Sequence, residues 1–317
     1  MDIDGWFGRG PFTAGEAHLE GLTASDIERL VRSKALVQLR RGVYVSAVDL
    51  GAVANDDPRL HAMHIRGLQL AFASPVAAAA SSAARIYGLE FLDPPVDELV
   101  VVSGDTRTSG THRDGYRLRV AVLPEAHLTE RHGVTLTTPA RTVVDLCAEL
   151  SFMGGVVIAE SAVRKRLTTV EELRETADTT VSRRGITRVR RVFDFLGPQS
   201  DSPLESASRV RIAELQLGTP ATQVEFVING RLIRVDFYWA EFDLVGEADG
   251  YGKYQPKPGQ DALAAVRDEK EREQLLLAAG KEVVRWGWRE VRRPELLQAR
   301  LQPAFTRGLE RRRGRFA

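Results

Sequence analysis

The run from Ala221 to Ala248 constrains this chain more than any other stretch. Apolar and β-branched residues fill about 221–228 and 232–239, with Asn229-Gly230 between them. An Asn-Gly pair in that setting takes positive φ at both residues and closes a two-residue hairpin. A third apolar run, about 242–248, follows after a tight turn. Ser202-Pro203-Leu204-Glu205 opens a helix ahead of these strands, running to about Leu217. Behind them a long charged helix occupies about 261–279 and ends at Gly280, and a strand, Glu282-Val283-Val284-Arg285-Trp286, leads to a helix from about Pro294. The pattern is α-β-β-β-α-β, an α/β domain around a central sheet.

Carboxylates punctuate this pattern. Asp236 lies on the second strand and Glu247 on the third, and neighbouring strands sit roughly 4.8 Å apart. Asp249 alternates onto the face of Glu247, because the strand period is two. Glu205 can reach the same place from the preceding helix. Oxygen-only ligands of this kind suit Mg²⁺ or Mn²⁺, with Asp236, Glu247 and Glu205 as metal ligands. A metal there could polarise a phosphodiester and activate a water. Each acid also has a plain structural reading. Ser202-x-x-Glu205 is a capping box and Asp249-Gly250 a turn. Asp236, inside an otherwise apolar strand, requires a partner in either case.

The first fifty residues carry a different signal. Pro11 to Glu20 can form a helix stopped by Gly21. Thr23 or Ser25 caps a second helix through Lys34, with Ile27, Leu30 and Val31 at helical spacing. Leu36-Val37-Gln38-Leu39 and Gly42-Val43-Tyr44-Val45 then read as a hairpin with a basic tip, Arg40-Arg41. Helix, glycine turn, helix and basic hairpin are the parts of a winged helix-turn-helix. In that arrangement Ser25, Asp26 and Arg29 lie near base edges in the major groove of double-stranded DNA, Arg32 and Lys34 add basic charge beside them, and Arg40 and Arg41 touch phosphate.

Between these ends, an Ala-rich segment from Pro75 to Gly88 reads as a helix. Leu99-Val100-Val101-Val102, Leu118-Arg119-Val120-Ala121-Val122 and Val134 to Thr137 read as strands, and a Gly/Thr/Ser-rich loop fills 103–115. Helices follow from Pro139 to Leu150 and over about 154–166, and Thr168 with Glu171 makes a capping box for another. Arg141 and Asp145 stand at i,i+4 spacing, as an intrahelical ion pair would. His61 and His64 share a helical face and read as a surface pair. The expected organisation is therefore α+β and multidomain: a winged helix-turn-helix at 1–50, an α+β middle domain at 51–197, and a C-terminal α/β domain at 198–317.

Composition narrows the function classes. The lone Cys147 cannot make an internal disulfide, and no uncharged stretch reaches the length of a membrane span. The expectation is a cytoplasmic protein without a membrane partner. A net charge of +1 does not announce a nucleic-acid binder, but arginine clusters near residues 29–41, 183–191 and 307–315 supply local positive patches. Walker loops, Gly-x-Ser-x-Gly and paired cysteines are all missing from the sequence.

Two resemblances sharpen these readings. Arg41-Gly42-Val43-Tyr44, Ser81-Ser82-Ala83-Ala84 with Tyr87-Gly88-Leu89, and the run Thr137-Thr138-Pro139-Ala140-Arg141-Thr142-Val143-Val144-Asp145 resemble the AbiEi antitoxin family over about the first 180 residues. That resemblance implies a winged helix that binds its own promoter and a cognate nucleotidyltransferase-type toxin as partner. Glu205, Arg234-Val235-Asp236-Phe237, Glu247-Ala248-Asp249-Gly250, Arg267-Asp268, Arg272, Leu275, Gly280 and Val284-Arg285 resemble the PD-(D/E)xK nuclease superfamily, specifically Vsr-like members, over about 200–290. It implies a restriction-endonuclease-like domain with a mixed central sheet, in which Asp236 and Glu247 bind metal and Glu205 and Asp249 support them. The chain departs from that pattern where Asp249 replaces the usual lysine and Lys253 replaces a histidine; Lys253 is then the candidate for transition-state stabilisation. Two functions follow: a DNA-binding regulator of the antitoxin type with a nuclease-like scaffold, or a Mg-dependent DNA endonuclease targeted by the winged helix.

Overall fold

The computed structural model describes residues 8–105, 107, 109–113, 115–180, 185–197, 200–249 and 262–315. The chain forms two compact units. One contains Met1–Ser151 and Lys165–Phe193, the other Phe152–Arg164 and Asp194–Ala317. The helix at Phe152–Arg164, expected in the middle domain, thus groups with the C-terminal residues.

The first unit begins with β1 (Phe12–Thr13), α1 (Ala14–Leu19), α2 (Ala24–Arg32), β2 (Leu36–Arg40) and β3 (Val43–Ser46), the strands ordered β1-β3-β2. Thr13 and Thr23 both close capping boxes, with Glu16 and Asp26 respectively. Each box satisfies orphan amides at both ends of its first turn. Phe12, Ala17, Leu22, Ile27 and Leu36 form the buried core of this part, with Leu30, Val31 and Tyr44 packed against it. Two further helices, α3 (Ala47–Val53) and α4 (Asp57–Ala71), follow. A Cβ at Gly67 of α4 would lie 3.0 Å from the Leu39 side chain, so this glycine sets how closely α4 approaches β2.

The rest of the unit is a six-stranded sheet with helices. Its elements are β4 (Ala77–Ala78), α5 (Ala80–Ile86), β5 (Leu99–Ser103), β6 (Thr111–Arg113), β7 (Tyr116–Val120), β8 (Leu128–Arg131), β9 (Val134–Thr137) and α6 (Pro139–Glu149). The strand order is β6-β7-β5-β4-β9-β8. Pro75 to Gly88 is therefore not one helix. Ala77 and Ala78 pair antiparallel with Val102 and Val101, and Ala78 pairs parallel with Leu136, so the sheet overrides alanine's helical preference. The stretch expected as a loop at 103–115 supplies the edge strand β6, antiparallel to β7.

His61 and His64 are not a surface pair. His61 is buried, and its Nε2 lies 2.9 Å from Ser82 Oγ, which accepts the Val100 amide at 2.7 Å. His64 is half-buried. Burial, then repulsion from Arg85, lowers the His61 pKa to about 4.

The second unit holds α7 (Phe152–Arg164), α10 (Pro203–Glu214), β10 (Ala221–Ile228), β11 (Arg231–Trp239), β12 (Leu244–Ala248), α11 (Ala262–Ala278), β13 (Glu282–Trp286), α12 (Trp288–Arg292) and α13 (Pro294–Arg315). Between α7 and α10 the first unit contributes α8 (Val170–Thr179), and α9 (Ile186–Phe195) spans the boundary. Thr169, not Thr168, caps α8 by accepting the Glu172 amide, while the Thr168 hydroxyl donates to the Glu172 carboxylate at 2.8 Å. The capping pair is thus one residue later than its sequence spacing suggests.

The sheet of the second unit runs β10-β11-β12-β13, antiparallel across the first two pairs and parallel across the last. The order α-β-β-β-α-β is present. Asn229 and Gly230 adopt φ of 52° and 77°, as the hairpin demands. Phe237, Trp239 and Trp286 stack together, and Gly246 makes room for them. A Cβ there would sit 2.5 Å from the Trp286 ring and 2.9 Å from that of Trp239.

Candidate nucleic-acid interface and carboxylate row

Helix α2 turns Ile27, Leu30 and Val31 toward the core and leaves Ser25, Glu28, Arg29 and Arg32 exposed. The spacing of three and four residues puts these side chains on one face. Lys34, just past the helix at φ 62°, is exposed as well. Asp26 does not join them. Its carboxylate accepts the Thr23 amide and hydroxyl, at 3.0 and 2.6 Å, and pairs with Arg29. The Thr23 hydrogen bonds, with help from Arg29, hold the Asp26 carboxyl below its ordinary pKa. Arg29 therefore carries a partly compensated charge.

At the hairpin tip the two arginines part. Arg41 is exposed beside Gly42, whose φ of 73° makes the turn. The β2/β3 register slips between Gln38 and Arg40. Arg40 is half-buried, its guanidinium 5.8 Å from the centroid of the Tyr116 ring, within cation–π range. The basic doublet thus divides into one outward and one inward residue, which spacing alone cannot reveal.

In the second unit the acids fall into a row. The register Phe237↔Gly246 puts Asp236 opposite Glu247 one step further on, and Glu247 is paired in register with Arg285. The register of β10 with β11 likewise puts Gln223 opposite Asp236. Gln223 Nε2 donates to Glu205 Oε2 at 2.6 Å, so Glu205 joins the row through an amide rather than directly. Ser202 caps α10 by accepting the Glu205 amide at 3.2 Å. The Glu205 carboxylate takes the Ser202 hydroxyl and the Asp201 amide, each at 2.8 Å, so it holds the residue before the cap rather than the cap amide a capping box would use.

Arginine meets these carboxylates. Glu247, 1% exposed, accepts from Arg272 Nη2, which also donates to the Arg234 carbonyl at 2.9 Å. The other nitrogen of Arg272 bridges to Glu269 at 3.1 Å. Arg285 Nη1 reaches Asp249 at 3.1 Å, and its Nη2 reaches Glu269. Asp236 Oδ2 accepts the Ala248 amide at 2.8 Å. The acids raise the pKa of both guanidiniums, more than offsetting burial, and the arginines in turn lower that of Glu269. Among the described residues, no group of three His, Cys, Asp or Glu side chains could hold a metal ion. Lys253 lies outside the described residues. Sequence reasoning marked Arg272 and Arg285 without giving them a role, and it missed Gln223 and Glu269. A helix position facing an acidic strand was the signal available for Glu269.

Residues 7–47 match the family described as a transcriptional regulator, AbiEi antitoxin. Residues 76–195 match the AbiEi antitoxin C-terminal domain. Both parts of the AbiEi pattern are present in this chain. Two uncharacterized proteins of Mycobacterium tuberculosis, MT2308 and Rv2248, are each 26% identical over 125 residues, covering 38% of this chain and 45% of the relative. The chain thus spans less than half the length of the curated relatives it matches. The crystal structure of the RV2827C protein from Mycobacterium tuberculosis covers 65% of this chain and 78% of its own, with 13% identity and a TM-score of 0.38. Among the described residues no helix is long and apolar enough to cross a membrane.

Proposed function

We propose that this protein is a DNA-binding transcriptional regulator of the AbiEi antitoxin type. The carrying observation is the exposed face of α2, where Ser25, Arg29 and Arg32 align on a helix capped at Thr23 and preceded by a helix and a tight turn. That face fits a major groove, with Lys34 and Arg41 at its flanks for phosphate. The match of residues 7–47 to a transcriptional-regulator family supports the same assignment. A cognate toxin of the nucleotidyltransferase type is the expected partner of such an antitoxin.

The test is fluorescence anisotropy with a duplex taken from the sequence upstream of the protein's own coding region, over a salt series. The Arg29→Ala/Arg32→Ala protein should lower the log–log salt slope by about 1.8, at roughly 0.9 per phosphate contact. An unchanged slope would remove α2 from the interface.

In this reading the second unit is a nuclease-like scaffold for DNA or partner contact. One observation keeps endonuclease activity as a second reading: Asp236 and Glu247 stand directly opposite each other on adjacent strands. The described side chains do not fit a divalent cation, because Arg272 holds Glu247 and Arg285 holds Asp249. Plasmid and short duplexes incubated with the protein and Mg²⁺ or Mn²⁺ decide between the two. Cleavage lost in both Asp236→Ala and Glu247→Ala would make it an enzyme. DNA shifted but uncut leaves the regulator.

A further inference from the structure

A cavity of about 570 Å³ lies within the first unit, framed by β5, β7, α6 and the start of α9. Its size falls in the range of small-ligand pockets. Neither the DNA-binding face nor the carboxylate row contributes to it. Three of its lining residues are arginines, Arg119, Arg141 and Arg188, and two are acids, Asp145 and Glu149.

Arg141 is the centre of the argument. Its side chain is only 5% exposed. Nε donates to Asp145 Oδ1 at 3.0 Å, which is the ion pair expected from their spacing. Nη1 donates to the Val122 carbonyl at 3.4 Å and to His127 Nδ1 at 3.0 Å. Burial, then the Arg141 charge, lowers the His127 pKa, which favours the neutral ring that can accept. Nη2 meets no acceptor among the described residues. A buried guanidinium with an unused edge on a cavity wall calls for an anion from outside the protein.

The surroundings reinforce that demand. Arg119 pairs with Glu149, and Arg188 uses Nη1 on the carbonyls of Ala148, Glu149 and Leu150 at the end of α6. Three guanidiniums against two carboxylates leave positive charge in excess. Burial lowers the Arg119 pKa, and repulsion from Arg117 and Arg141 adds to it despite Asp145. The ten-residue helix α9 also begins at this cavity. Gly185 permits that approach. Its φ is 84°, and a Cβ there would meet the Ala148 carbonyl at 2.7 Å. The positive end of the helix dipole thus adds to the field. Val102, Val144, Ile186 and Val189 supply apolar lining beside the charges.

We propose that this cavity binds a small phosphate ester with an apolar or planar body. The phosphate takes the open edge of Arg141 together with Arg119, and the body lies on the valine and isoleucine lining. Bidentate guanidinium contacts suit a phosphate, whose several oxygens can accept from two arginines at once.

Isothermal titration of the full chain with orthophosphate, AMP and adenosine tests this. AMP should bind saturably and at least tenfold more tightly than orthophosphate, and adenosine should not bind. Arg119→Gln, a change at a partly exposed residue, should weaken AMP about tenfold or more, as should Arg141→Lys. Arg29→Ala/Arg32→Ala should leave AMP binding unchanged, which separates the cavity from the DNA-binding face. The proposal fails if neither anion binds at millimolar concentration, or if adenosine binds as well as AMP. It fails equally if Arg119→Gln, at unchanged melting temperature, binds AMP like the parent.

Discussion

The exposed face of α2 and the carboxylate row use the same side chain in opposite ways. On α2, arginines stand in solvent, and among the described residues only Arg29 pairs with an acid. In the row, Arg272 and Arg285 are consumed by Glu247, Glu269 and Asp249 inside a half-buried network. An exposed guanidinium retains its reach toward a polyanion, and its loss costs the fold little. A buried one is committed, and removing it strands a carboxylate. Arginine-rich sequence therefore predicts nucleic-acid contact only where the fold leaves the charge uncommitted.

The sharpest break of this contrast is Arg272→Ala. Glu247 would remain buried without its cation, at a cost of about 3–5 kcal/mol. Urea unfolding should show this as a large drop in midpoint, and Arg272→Ala/Glu247→Gln should recover most of it. Arg29→Ala should move the midpoint hardly at all. Equal effects at the two sites would erase the distinction between them.

His61 adds a third way of handling charge, which is to avoid it. Its pKa falls from 6.5 to about 4 on folding. Between those values the unfolded chain binds a proton that the folded chain refuses. Stability from this group is whole above pH 6.5 and drains away as pH falls toward 4. The full difference corresponds to about 3 kcal/mol. Denaturant midpoints measured from pH 7.5 to 4 should decline accordingly, and His61→Gln should flatten that part of the curve. A parallel decline in the variant would assign the acid sensitivity to other groups.

Much of this was legible where local chemistry decides the structure. Thr23 caps α2, Asn229-Gly230 turns the hairpin, and the tight turn between neighbouring strands brings Asp236 beside Glu247. The failures share one cause. Ala77 and Ala78 are helix formers whose strand comes from β5 and β9, far away in sequence. His61 is buried by Ser82 and its neighbours, and Arg40 is drawn to Tyr116, seventy-six positions further along the chain. Tertiary partners set these outcomes, and a periodic pattern carries no record of them. The acids followed the same division. Their alignment was readable, while their neutralisation depended on which face of α11 meets the sheet.

A smaller effect tests the helix that presents the exposed face. Thr23→Ala removes the side chain that accepts the Asp26 amide and donates its hydroxyl to the Asp26 carboxylate in return. The expected loss is about 1 kcal/mol. Arg29 would keep its charge, so DNA affinity should fall only through fraying of α2, with the salt slope preserved. A changed slope would mean that the capping box also holds Arg29 in its binding position.

The smallest effect lies at the hairpin tip, and it asks whether the contrast between committed and uncommitted arginines holds between neighbours. Arg41 is exposed, and Arg40 rests on Tyr116. If exposure decides, Arg41→Ala should lower the salt slope of DNA binding by about 0.9, and Arg40→Ala should leave it nearly unchanged. Arg40→Ala should instead cost up to about 1 kcal/mol of stability through the lost ring contact, which Tyr116→Leu would reproduce. The opposite result, with Arg40 carrying the slope, would mean that its guanidinium leaves Tyr116 when DNA arrives. Burial in the free protein would then mark a held reserve of positive charge rather than a spent one.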